Sequence, residues 1–323
     1  MVDNVLHKLS MTLRWSASVG VLLCSAAQAD TTISVHLDND GMLGTDKDYS
    51  NGLFLDVQSK LDGAPLRWLE KADAEYYMGV SLSQKIWTPS DVSQVEPTPN
   101  DRPYAGLSYL STRLSIRAPQ EYQNIELMLG TMGEQSLASI SQRWVHDLIG
   151  SPRPEGWQYQ VEEPLVWGAS YQQHNTVFNR DTDSNSNELT WINRAQIGNF
   201  QPEIASGVLW RYGDNLAATF GSTAISYAQP NQTLYAPKDQ IGYYYFAGIE
   251  ARYRFKDLTL SGATPPEVYP VSIQHWQSTA QIGAVGYYQG LGIAFTIVAK
   301  SPDYKEDQQN LHAATSLSLF WML

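Results

Sequence analysis

Between Tyr243 and Phe255 the chain reads YYYFAGIEARYRF, and every odd-numbered position in it is apolar or aromatic. Tyr243, Tyr245, Ala247, Ile249, Ala251, Tyr253 and Phe255 share one parity, while the later positions of the other, Gly248, Glu250, Arg252 and Arg254, turn charged. Side chains of an extended strand point alternately to its two faces, so this segment predicts a strand with one apolar and one charged face. Aromatic residues bracket the apolar stretch at both ends. That is the arrangement of a strand whose outer face meets lipid and whose ends meet the two membrane interfaces.

The same alternation sets Leu53, Leu55 and Val57 against Asp56, Gln58 and Lys60, and Leu291, Ile293, Phe295 and Ile297 against Gly292, Ala294 and Thr296. Leu317, Leu319 and Trp321 alternate with Ser316 and Ser318. About twelve such strands are predicted, near 31–40, 50–60, 75–87, 105–118, 122–133, 162–178, 187–198, 204–213, 241–255, 275–289, 290–302 and 312–323. An even number of alternating strands fits an all-β fold, a transmembrane antiparallel β-barrel with both ends on the periplasmic side. A soluble β-sandwich also alternates, but the girdled strands favour the barrel. Odd strands rising outward place the outer loops at about 41–49, 88–104, 134–161, 199–203, 256–274 and 303–311. One segment, 214–240, is then a long periplasmic connection where short turns are the rule.

A single helix is predicted, in the third outer loop. GEQSLASISQRWVHDLIG puts Leu137, Ile140, Trp144 and Leu148 on one stripe and closes on Gly150. Gln142 and His146 stand four apart and so project from one face.

Composition narrows the setting. Lys8 and Arg14, the apolar run VGVLLC and the AQA before Asp30 read as an export signal, residues 1–29, cleaved after Ala29, leaving a barrel domain of 30–323. Leu23 stands where a lipoprotein signal needs a small residue, so Cys24 is expected to leave with the leader. The mature chain then has no cysteine and must be held by its core or by a closed sheet. After Ala29 no apolar run reaches the roughly 18–20 residues of a membrane-spanning helix. A formal charge of −12 and the lack of a basic stripe argue against nucleic acid as a partner. The expected location is the outer membrane of a Gram-negative cell, as a monomer among outer-membrane lipids.

One polar turn stands out in this pattern. LDNDGMLGTDKDYSNG, from Leu37 to Gly52, crowds four aspartates, two asparagines, a Ser and a Thr between the first two strands. Strand parity turns Asp38, Asp40 and Ser50 inward and Asn39 toward lipid, tolerable only at the rim or through a bulge. Its hard oxygen donors suit Ca²⁺ better than zinc, although a solvated Asx-rich turn has the same composition. His146, sharing its helix face with Gln142 at the same rim, is the candidate proton acceptor, since a neutral imidazole can take a proton from water. There is no G-x-S-x-G elbow, H-E-x-x-H helix or phosphate loop, so serine and zinc hydrolases are unsupported.

Four ordered stretches carry a family resemblance: DNDGMLGTDKDYSNGL, NDRPYAGLSYL, SQRWVHDLIGSPRPEGWQYQ and YFAGIEARYRFKDLTLSG. Together they resemble the outer-membrane lipid A 3′-O-deacylases, the LpxR family, over most of the mature chain. The resemblance implies a twelve-stranded barrel with a calcium-dependent esterase site between the wall and a loop helix. His146 would activate a water, and Ca²⁺ beside Asn39 and Asp40 would polarise the ester carbonyl. Gln142 and Ser50 match polar site positions. The sequence departs from the pattern at Pro152, where some members carry an acidic residue, which leaves part of the metal shell or histidine support unassigned. A lysine that meets the lipid phosphate in some members has no match, with Arg102 or Arg153 as substitutes. The implied substrate is lipid A of lipopolysaccharide, losing its ester-linked 3′-acyloxyacyl chain. An outer-membrane phospholipase, or a pore or adhesin without catalysis, stays open at this stage.

Overall fold

The computed structural model describes residues 30–40, 47–182, 185–223, 225 and 240–323. The expected leader, 1–29, and the middle of the acidic turn, 41–46, lie outside the described residues. The strands are β1 Thr31–Asn39, β2 Asp48–Leu61, β3 Glu75–Thr88, β4 Ala105–Ala118, β5 Glu121–Met132 and β6 Glu163–Asp181. The second half comprises β7 Ser186–Gly198, β8 Glu203–Gly213, β9 Ile241–Arg254, β10 Trp276–Tyr288, β11 Leu291–Lys300 and β12 His312–Met322. Neighbours in sequence pair antiparallel, and β12 closes on β1 with Val35 opposite Leu319. Closure leaves no open sheet edge, which is what lets strands cross a bilayer with every backbone group bonded. Among the described residues no helix is long and apolar enough to span a membrane.

Parity sorts the side chains as the alternation requires. Val35, Leu55, Leu82, Leu110 and Leu319 are exposed on the outer wall, while Ser34, Asp56, Ser81, Arg113 and Ser318 are buried inside. The lumen is packed with ion pairs. Arg194 bridges Glu203 at 2.5 Å and Glu250 at 3.0 Å, and Arg254 joins Glu203 at 2.7 Å to Asp257 at 2.8 Å. Beside them is a cavity of about 50 Å³.

The described part of 214–240 is not a simple periplasmic connection. Leu216–Thr219 forms a short 3-10 turn, and Leu216 and Ile225 are buried against Ile192, Leu209, Tyr244 and Phe246, inward-facing residues of β7, β8 and β9. Arg211 holds this turn by donating to the carbonyls of Leu216 at 3.1 Å and Thr219 at 2.9 Å. Apolar side chains facing a lumen need cover, and this segment supplies it at the end of the barrel opposite the loop helix.

That helix, α1, runs from Ala138 to Ile149 and ends at Gly150 (φ 74°), whose N–H returns to the His146 carbonyl. A left-handed residue just past the last turn is the glycine stop expected from the sequence. The helix lies on the outside of the barrel. Gln84 of β3 and Ser108 of β4 are on the outward parity of Leu82 and Leu110, and both donate to the carbonyl of Ser136, at 2.8 and 2.7 Å. Ala138 sits directly over Gly106, where an added Cβ would come within 2.2 Å of the alanine methyl. Only a residue without a side chain permits so close an approach.

Candidate active site

The pairing of β2 with β3 slips between Tyr49 and Asn51, leaving Ser50 as an extra residue. This β-bulge changes the face that Ser50 uses. Tyr49 points inward, where its ring packs on Trp87 and its hydroxyl donates to Asp38 at 2.8 Å. Asn51 has the outward parity of Leu53 and Leu55 and follows Ser50 directly. Ser50 hydrogen-bonds the hydroxyl of Thr88, which shares the outward parity of Leu82, Gln84 and Ile86. Parity without the bulge turned Ser50 into the lumen; the structure places it on the outer wall. Asp40 is corrected in the same way. It lies one residue past β1, its N–H meets the Ser50 carbonyl at 3.4 Å, and its side chain borders the same outer cleft as Asn39.

The helix covers this patch with its polar side. Gln142 and His146 are 4 % and 6 % exposed, whereas Trp144 and Leu148, on the predicted apolar stripe, are 67 % and 70 % exposed. An amphipathic helix normally turns its stripe to the protein. Here the orientation is reversed, because the wall beneath presents Asn39, Ser50 and Asn51. Trp157 pins Gln142: its indole N–H donates to Gln142 Oε1 at 2.9 Å, and its ring belongs to a buried cluster with Ile86, Tyr104 and Ala138. An indole N–H can only donate, so the amide oxygen must face it, and the amide nitrogen is left buried with no hydrogen-bond partner.

His146 Nδ1 lies 2.6 Å from the carbonyl oxygen of Pro152. A carbonyl can only accept, so Nδ1 carries the proton and, in the neutral ring, Nε2 is the basic nitrogen. The backbone of Pro152 thus supplies the histidine support that its side chain cannot.

Between wall and helix is a cavity of about 380 Å³ that brings together Asn39, Asp40, Ser50, Gln142 and His146, all five residues expected from the sequence. The other described histidines are elsewhere. His36 bonds Ser318, His174 bonds Gln172, His275 bonds the Arg254 carbonyl and His312 bonds Asp307. Sequence reading missed Asn51, Thr88, Trp157 and Asp91, which also borders the cavity from the β3–β4 loop. The Ser93 hydroxyl and backbone N–H hold the Asp91 carboxyl below the usual carboxylate range, keeping it ionised. Of these, Trp157 alone carried a sequence signal, in the W-x-x-Q that trails the helix.

The donors fit a hard cation. Asp40 offers a carboxylate, Asn39 an amide oxygen and Ser50 a hydroxyl, with no thiolate in reach. Among the described residues no three His, Cys, Asp or Glu side chains form a closed metal cage. Arg102 is not available to a lipid phosphate: it is buried and paired with Asp48 and Asp303. Arg153 is exposed beside the cleft and pairs with Asp147 at 2.8 Å, a contact that holds the Asp147 carboxyl below its usual range.

The family model described as outer membrane protein LpxR matches residues 11–323. The chain belongs to the LpxR family. No curated protein matches it in sequence. Among solved structures, LpxR from Salmonella typhimurium superposes with a TM-score of 0.78 at 17% identity, covering 90% of this chain and 100% of that one. The translocator domain of the autotransporter NalP from Neisseria meningitidis gives 0.41 at 11% identity, over 97% of this chain and 98% of that one. The β domain of the Bordetella autotransporter BrkA gives 0.42 at 9% identity, over 91% and 98%. The LpxR-family barrel is therefore the architecture expected from the alternation.

Proposed function

We propose that this LpxR-family chain is a carboxylic ester hydrolase that removes the 3′-acyloxyacyl chain of lipid A in the outer leaflet. One observation carries the reading: a histidine with its tautomer set by a backbone carbonyl faces a cleft on the membrane side of the barrel wall. An ester in the bilayer would reach such a cleft without entering the lumen.

His146 Nε2 takes a proton from water as that water attacks the ester carbonyl, and returns it to the departing sugar oxygen when the C–O bond breaks. The products are a free 3-acyloxyacyl acid and a 3′-hydroxyl. Gln142, with its oxygen held by Trp157, directs its unpartnered amide N–H groups to the carbonyl oxygen as negative charge develops there. Ser50, bonded to Thr88, orients water or substrate. Asp40 and Asn39 would hold Ca²⁺, whose contribution is Lewis-acid polarisation of the ester carbonyl.

The purified protein in detergent, mixed with lipid A and with glycerophospholipid, tests the reading. The expected result is release of 3-acyloxyacyl acid, abolished by a chelator and restored by Ca²⁺. Release of lysophospholipid with lipid A untouched would overturn it in favour of a phospholipase.

A further inference from the structure

The outer face of α1 is an unpartnered apolar surface that the proposed chemistry does not use. Leu137, Ile140, Trp144 and Leu148 form it, all exposed, while Arg143 and Asp147 occupy the flank between this stripe and the buried face. The helix therefore has three sides, one polar and buried, one charged and one apolar and bare.

We propose that the apolar side of α1 is immersed among the acyl chains of the surrounding membrane leaflet, as an extension of the barrel's lipid-facing band. Continuity with that band identifies the occupant. Gln84 and Ser108, which anchor the turn before the helix, lie two residues along β3 and β4 from the exposed pair Leu82 and Leu110. At the rise of a strand that is about 7 Å, so the helix begins where the lipid-facing wall leaves off. Trp144 supplies the amphipathic ring favoured at the membrane interface, and Arg143 and Asp147 stay on the side that water can reach. At the far end Ile149 is both exposed and part of the cavity wall, so the apolar surface continues from the stripe to the cleft. An acyl chain can follow it sideways from the leaflet, a corollary that rests on the proposed esterase function, whereas the location of the helix does not.

Single-cysteine spin labelling reads the location without reference to activity. Cys24 is the chain's only cysteine, so a Cys24→Ser background takes labels at Trp144→Cys, Leu148→Cys, Arg143→Cys and, as a wall reference, Leu110→Cys. Each variant is reconstituted in phosphatidylcholine vesicles after its heat-modifiable migration has confirmed a folded barrel. Labels at 144 and 148 should collide with oxygen in preference to a water-soluble nickel chelate, as at 110, and the label at 143 should show the reverse. Water-like accessibility at 144 and 148 alongside a lipid-like 110 would overturn the proposal. Exclusion of both reagents with dipolar broadening would also overturn it, by showing that a second copy covers the stripe.

Discussion

The 2.6 Å contact between His146 Nδ1 and the Pro152 carbonyl joins a helix residue to the loop that follows the helix stop. Because the acceptor is backbone, the support survives any side chain at 152 that keeps the loop path. Pro152→Ala should leave kcat/KM within roughly threefold, less than about 1 kcal/mol of transition-state stabilisation. Steady-state kinetics check this, and a loss as deep as that of a histidine deletion would show that the carbonyl is not the support.

Trp157 acts on Gln142 through one hydrogen bond and on the helix through its packed ring. Trp157→Phe keeps most of the ring, so stability should fall by only about 1 kcal/mol while activity falls on the order of tenfold as the amide loses its orientation. Trp157→Ala should cost roughly 3–5 kcal/mol by opening a cavity under the helix. Thermal unfolding measured beside kcat separates the two effects.

Gly106 sets how closely α1 approaches the wall. Gly106→Val should displace Ala138, open the cleft and lower activity by on the order of 10², the penalty of misplacing reacting groups by about an ångström. The barrel should still migrate as a folded species, since the substitution lies on its outer surface. Gly286→Ala is the control, as an added Cβ there meets nothing within 4 Å.

The oxygen donors make a separate test. Asp40→Ala should abolish activity, and a chelator should do the same to the unaltered protein until Ca²⁺ is returned, because the carboxylate is the charged donor of the set. Ser50→Ala should lower activity only partially. Near-complete loss together with a trappable acyl-enzyme would assign Ser50 as a nucleophile and contradict hydrolysis by water.

Much of this architecture is legible in the sequence, for physical reasons. Strand parity is a two-state code enforced by lipid outside and a polar lumen inside, so Leu53, Leu55 and Val57 declare their face unaided. The code fails where the count slips. Ser50 occupies a bulge, and one extra residue sends its hydroxyl to the opposite side of the wall. Helix periodicity put Gln142 and His146 together, but not the side of the barrel on which they settle; that depends on Gly106 and on the Gln84 and Ser108 contacts to Ser136, which are distant in sequence. The Pro152 carbonyl was invisible to side-chain reasoning altogether, because backbone acceptors carry no residue signature.

The central claim is that His146, in a cleft on the membrane side of the wall, hydrolyses the 3′ ester of lipid A. Mass spectra of lipid A from Gram-negative cells expressing the protein or its His146→Ala variant test this most directly. Loss of the mass of one acyloxyacyl group from the 3′ position is predicted with the unaltered protein. The variant, with its rate lowered on the order of 10²–10⁴ and its barrel intact, should leave lipid A essentially whole. Unchanged lipid A with the unaltered protein, or equal deacylation by the variant, would contradict it.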